Sequence, residues 1–149
     1  REEKTTEGGL SLSSYTDKQI ASLKRTITDF RNHKIKTSLF IDPDNRSIDI
    51  AKDVGADLVE LHTGKYANQF NTINEFEALE EITSASRYAH SKDLLVNVGH
   101  GLNYENLSEI CKLDHINEVN IGHAIIAQAV FTGLNDAIKK IISIINNCD

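Results

Sequence analysis

The sequence predicts an α/β fold built on a parallel sheet and, more narrowly, part of an eightfold β/α barrel. Three observations carry this. Strand-like and helix-like stretches alternate without a break, which calls for parallel strands joined by right-handed crossovers. No Gly-x-Gly-x-x-Gly follows any strand-like run, which argues against a dinucleotide-binding sheet. The last strand-like run empties through Gly122-His123 into a short apolar helix, an arrangement with which such barrels hold phosphate. Four strands cannot close a barrel of this type, so their open edges call for further strands.

The elements justify themselves in turn. Thr16 stands ready to cap a helix whose apolar face is Ile20, Leu23, Ile27 and Phe30. Residues 36–41 form the first strand-like run. Asp42 reads as an N-cap with Pro43 at the first helical position, opening a helix through Ile48 to Val54 that Gly55 ends. A second strand covers 57–62, followed by a strand-end loop, His62-Thr63-Gly64-Lys65-Tyr66, and then a helix marked by Phe76, Leu79, Ile82, Ala85 and Ala89. A third strand is expected over 94–98, a short helix over 105–111, and a fourth strand over 118–121. Gly133 divides a short helix, 125–131, from a longer one through Ile138, Ile141 and Ile145.

The chain has 149 residues, 40% of them hydrophobic and 26% charged, a globular composition that excludes a disordered segment. Its net charge of −6, without a Lys/Arg cluster, excludes a nucleic-acid binder. No run is long enough to cross a membrane, and Arg1-Glu2-Glu3-Lys4 has the pattern of neither a signal nor a transit peptide, so the expected compartment is the cytoplasm. Cys111 and Cys148 lack Cys-x-x-Cys spacing and read as buried or idle thiols. Methionine is absent throughout, and the opening Thr5-Thr6-Glu7-Gly8-Gly9 resembles a loop already under way. The expectation is a piece of a longer protein.

Two corners concentrate the chemistry. Val96-Asn97-Val98-Gly99-His100-Gly101 and Val119-Asn120-Ile121-Gly122-His123 are each a strand ending in Gly-His. Glycine permits a sharp turn and close approach to a ligand, while imidazole titrates near neutrality. His100, flanked by glycines, reads as functional; His123 is either a helix cap or a phosphate contact. Glu60 and His62 alternate with Leu61 and so share one face of their strand. Glu60 could be a proton carrier with a raised pKa, an anion beside a cation, or a structural or rim carboxylate. His33, His90 and His115 read as solvated surface, and Lys65 as a solvated loop cation. A metal site made of Glu60, His62, His100 and His123 lacks His-x-His or His-x-x-x-His spacing, so no metal is expected.

Five blocks taken together go further. Thr5-Thr6-Glu7-Gly8-Gly9-Leu10, Ser38-Leu39-Phe40-Ile41-Asp42, Val59-Glu60-Leu61-His62-Thr63-Gly64, Asn97-Val98-Gly99-His100-Gly101-Leu102 and Asn120-Ile121-Gly122-His123-Ala124-Ile125 closely resemble the pyridoxine 5′-phosphate synthase family, and Val130-Phe131-Thr132-Gly133-Leu134 fits as well. The resemblance covers essentially the whole chain. It implies an eightfold β/α barrel, assembled as a homo-octamer, that condenses 1-deoxy-D-xylulose 5-phosphate with 3-amino-2-oxopropyl phosphate, using no metal or organic cofactor. It further implies that His100 is the proton donor and that Glu60 stabilises charge in the transition state. Gly101, Gly122 and His123 would contact the amino-ketone phosphate, and Thr5 the deoxyxylulose phosphate. The family's first strands, with another catalytic histidine and glutamate, lie before the matching region. Residues 1–149 thus correspond to the C-terminal half to three-fifths of a single barrel domain.

Two other functions compete. A phosphosugar aldolase or isomerase on the same scaffold would want a lysine inside the barrel, but Lys36 opens its strand at the wrong end and Lys65 lies in a loop. A half barrel could also serve as a noncatalytic assembly or binding module.

Overall fold

A computed structural model describes residues 8–148. After a 3-10 turn at Leu12–Ser14, the order is α1 (Asp17–Asn32), β1 (Ser38–Ile41), α2 (Asn45–Val54), β2 (Leu58–His62), α3 (Gly64–Gln69), α4 (Glu75–Ser91), β3 (Leu95–Gly99), α5 (Leu107–Cys111), β4 (Ile116–Asn120), α6 (His123–Thr132) and α7 (Leu134–Asn146). The four strands form one parallel sheet in the order β1-β2-β3-β4. Sequential parallel neighbours joined by helices are consistent with half of a β/α barrel. Leu10 adds a single parallel bridge to Ile41 on the outer side of β1.

The two faces of the sheet differ. Leu39 and Ile41, Val59 and Leu61, and Val96 and Val98 are buried beneath Ile48, Ala51, Ala78, Ile82 and Ala85 of the helices, forming the core. On the opposite face stand Phe40, Glu60, Asn97 and Glu118, which are lateral neighbours in register. Parallel strands are ordinarily apolar on both faces, so Glu60, Asn97 and Glu118 in this row mark a surface kept for something other than packing.

Between β3 and β4 the register slips at Val96/Asn97. Val96 pairs with Ile116 and Asn97 with Glu118, leaving Asn117 as an extra residue. This bulge re-aims the rest of β4. Uninterrupted pairing would set Val119 beside Gly99, whereas the observed register sets Asn120 there. Asn117 compensates by donating from Nδ2 to Asn97 Oδ1 at 3.0 Å.

Local chemistry accounts for the helix ends. Thr16 and Gln19 close a reciprocal capping box on α1, worth about 1 kcal/mol. The start of α2 departs from expectation: the cap is Asp44, whose carboxylate accepts from Ser47 N at 2.9 Å, and Asp42 and Pro43 lie before the helix. Asp44 is the residue with extended cap geometry (φ −122°, ψ 144°), three before the Ser47 N–H that it binds. α3 is also unexpected, occupying what reads in sequence as a loop. Strand limits differ by one to two residues: Ser38–Ile41 for 36–41, Leu58–His62 for 57–62, Leu95–Gly99 for 94–98 and Ile116–Asn120 for 118–121. α6 is apolar yet buries no residue, and lies against α7, which is held by buried Ala137 and Ile141 and by Tyr104 Oη donating to Ala137 O at 3.0 Å.

Candidate active site

The C-terminal ends of β1 to β4 surround a cavity of about 580 Å³. Glu60, His100, Gly101, Gly122 and His123 all line it, together with Phe40 and Asn120. The sequence-derived site residues therefore converge on one place, at the strand ends where β/α barrels carry their chemistry. Thr5 lies outside the described residues. Among the described residues no lysine lines this cavity, and Lys65 is ion-paired with Glu81 on the helical side. No group of three or more His, Cys, Asp or Glu side chains among them is arranged to hold a metal ion.

Glu60 is half-buried on β2 and crosses the sheet diagonally, its Oε2 accepting from Asn120 Nδ2 at 2.7 Å, two strands away. Gly99 makes that crossing feasible. A Cβ there would overlap Glu60 Oε1 and stand 3.2 Å from both Glu60 Cδ and Asn120 Cβ. Burial raises the carboxyl above its ordinary value of 4.5, and nearby Glu118 adds to this, while the Asn120 hydrogen bond and the neighbouring His62 pull it down. The Asn120 side-chain amide is thus a neutral hydrogen-bond partner of the carboxylate.

His100 follows β3 with φ 81°, and Gly101 follows with φ 76°. Two successive left-handed residues turn the chain sharply, and for a histidine this costs about 1–2 kcal/mol. The turn is clamped from β2. Thr63, fully buried, donates its backbone N–H to Gly99 O at 2.8 Å, and its hydroxyl lies 2.7 Å from Gly99 O and 2.6 Å from His100 O, sharing one proton between them. Asn106 Nδ2 adds a bond to Gly101 O at 3.1 Å. Gly101 cannot carry a side chain, since a Cβ would stand 2.6 Å from Ala67 Cβ. His100 itself is exposed to the cavity.

Gly122 is the N-cap of α6 and His123 its first residue, both exposed. The first intrahelical bond runs from Ile126 N to Gly122 O, leaving the N–H groups of the first turn outside the helix's own bonding. Gly122, His123 and Ala124 of this turn line the cavity. α6 has no side-chain cap, so the capping role that the sequence leaves open for His123 is not the one seen.

The remaining histidines lie elsewhere. His33 Nδ1 is 2.8 Å from Asp29 O at the end of α1, and His90 stacks on His115 with ring centroids 3.8 Å apart, all three exposed. Asn120 and Thr63 are participants that sequence reasoning leaves without a role. Thr63 stands one residue past a strand end, a signal worth weighing; nothing local marks Asn120.

A family model described as pyridoxal phosphate biosynthesis protein PdxJ matches residues 1–147. Among curated proteins, a pyridoxine 5′-phosphate synthase of Sulfurihydrogenibium sp. is 51% identical over 147 residues, covering 99% of this chain and 58% of that protein. Proteins of the same name from Chlorobium phaeobacteroides and Idiomarina loihiensis are 45% and 44% identical, covering 97% and 98% of this chain and 60% and 59% of theirs. The chain thus spans about three-fifths of the length of the curated relatives it matches.

Proposed function

The chain belongs to the PdxJ family of pyridoxal phosphate biosynthesis proteins, and from that premise we propose that its protein condenses 1-deoxy-D-xylulose 5-phosphate with 3-amino-2-oxopropyl phosphate. The products are pyridoxine 5′-phosphate, inorganic phosphate and water. The observation that carries the reading is the convergence of Glu60, His100, Gly101, Gly122 and His123 on one cavity at the strand ends.

The chemistry suits these groups. Ring formation makes an imine C=N bond with loss of water and breaks C–O bonds to expel phosphate and further water, each step assisted by proton transfer to or from carbonyl and hydroxyl oxygens. His100 is the proton donor, presented to the cavity on a turn clamped by Thr63. Glu60 acts as an anion opposite the positive charge that develops as amine meets ketone, a role that requires a fixed carboxylate and no proton of its own. The first turn of α6, with Gly122 and His123, takes the phosphate of the amino ketone on its N–H groups. Gly101 contacts the same substrate, and Thr5 the deoxyxylulose phosphate.

In this reading further strands complete the eightfold barrel, the protein is a cytoplasmic homo-octamer, and no metal or organic cofactor takes part. The test is direct: the full-length protein, supplied with both phosphates, should release pyridoxine 5′-phosphate and inorganic phosphate in equal amounts. A ketone substrate trapped on a lysine by borohydride, with no pyridoxine phosphate formed, would instead point to an aldolase.

A further inference from the structure

We propose that His62 is a positioning residue whose ring holds the plane of the His100 ring. The inference rests on the reading of His100 as the proton donor. The two imidazoles stack with centroids 4.7 Å apart and planes 21° from parallel, within the range of favourable aromatic pairs. Phe40 of β1 lies against the His62 ring in turn, 5.2 Å away and tilted by 54°. His62 is therefore held between a neighbouring strand and the imidazole it supports.

The space for the stack is provided for. A Cβ on Gly64 would stand 2.5 Å from His62 Cε1 and 3.1 Å from His100 Cδ2, so both rings rest over a position that only glycine leaves open. Residues 62 to 64 thus act as one device: His62 faces the His100 ring, Thr63 binds the His100 carbonyl, and Gly64 makes room. His100 needs such support because it is exposed and stands on a left-handed turn past the end of its strand.

His62 does not line the 580 Å³ cavity that contains Glu60 and His100. It borders a neighbouring depression with Asp42, Asp44 and Lys65. It therefore reaches the reaction through the groups beside it, by its stack on His100 and by its charge interaction with Glu60. In a stack the ring nitrogens lie at the edge, off the partner's face, so the contact with His100 itself calls for a flat ring whatever else the nitrogens bind.

The experiment compares His62→Phe with His62→Leu in the full-length protein, by steady-state kinetics with each substrate varied and by crystal structures of both variants. The leucine variant should lose roughly tenfold to a hundredfold in kcat with both KM values little changed, and its His100 ring should leave the observed plane. The phenylalanine variant should restore most of the turnover and the ring plane. If His62→Leu leaves the His100 ring in place, or if His62→Phe is as impaired as His62→Leu, the proposal is overturned. Should the leucine variant not fold, His62→Gln carries the same comparison. Failure of the unaltered protein to form pyridoxine phosphate would sink the functional reading instead, and the ring plane in the crystals would still decide the role of His62.

Discussion

Gly99→Ala should disable Glu60 without touching it. The added methyl would overlap Glu60 Oε1 and press on Glu60 Cδ and Asn120 Cβ, each 3.2 Å away, where ordinary carbon contacts are about 3.5–4.0 Å. The backbone offers no objection, because Gly99 has none of the left-handed geometry of Gly101. The carboxylate is the mobile party and must retreat, which breaks the 2.7 Å bond from Asn120 Nδ2. A hydrogen bond to a charged group is worth about 1.5–3 kcal/mol, and at 1.4 kcal/mol per decade its loss from the transition state lowers turnover by roughly 10- to 150-fold. Overpacking should cost about 1–3 kcal/mol of folding stability. Pyridoxine phosphate formation by the full-length protein, measured beside its thermal melt, is the assay. Asn120→Ala provides the control, since it removes the same bond without adding a methyl and should lower turnover to a similar extent. Both variants retaining turnover within about twofold of the unaltered protein would refute the idea that Glu60 works from the position Asn120 gives it.

Other perturbations separate the parts of the site. His100→Asn should lower turnover by ~10²–10⁴ with KM little changed, whereas His123→Ala should chiefly raise the KM for the amino-ketone phosphate; the opposite pattern in steady-state kinetics would reverse the two assignments. Because burial raises the Glu60 carboxyl above 4.5, the native state holds that proton more tightly than the unfolded chain does. The resulting contribution to stability is present below about pH 4.5 and lost as pH rises through the raised native value. Glu60→Gln should accordingly gain in melting temperature over the unaltered protein as pH is raised from 4 to 7, and a gap that is constant or shrinks would contradict this. Burial, with Cys148 beside it, pushes the Cys111 thiol up to about 12, so a thiol reagent at about pH 8 should modify it far more slowly than free cysteine; equal rates, followed by mass spectrometry, would count against the burial. Thr63→Val should lower stability by about 1–3 kcal/mol in denaturant unfolding, because the His100 carbonyl loses its donor.

Much of this architecture is legible in the sequence because it rests on local patterns. Alternating runs such as Leu58 to His62 and the periodic face of Phe76, Leu79, Ile82, Ala85 and Ala89 announce a strand and a helix by their spacing alone. Glycines beside His100 and His123 mark the strand-end corners for the same reason. What escapes is either too short or too distant. α3 spans six residues, fewer than two turns, and so has no period to detect. Asp42, Pro43 and Asp44 offer two carboxylates for one helix start, and only the backbone path selects the second. Asn120 reaches Glu60 because a bulge at Asn117 displaces the register by one residue, and a register is a relation between strands that neither strand carries alone. The stacking of His62 on His100 is of the same kind.

The cavity wall is also uneven in stiffness. Glu60 and His100 hang from the central strands, roofed by fully buried Val59, Leu61 and Val98, whereas Gly122 and His123 open a helix that buries none of its ten residues. Local stability follows buried apolar contact, so among the described residues α6 is held by its own packing far less than β2 or β3. A phosphate captured on its first turn must hold that turn in order, which makes affinity for the phosphate and amide protection of α6 two readings of one equilibrium.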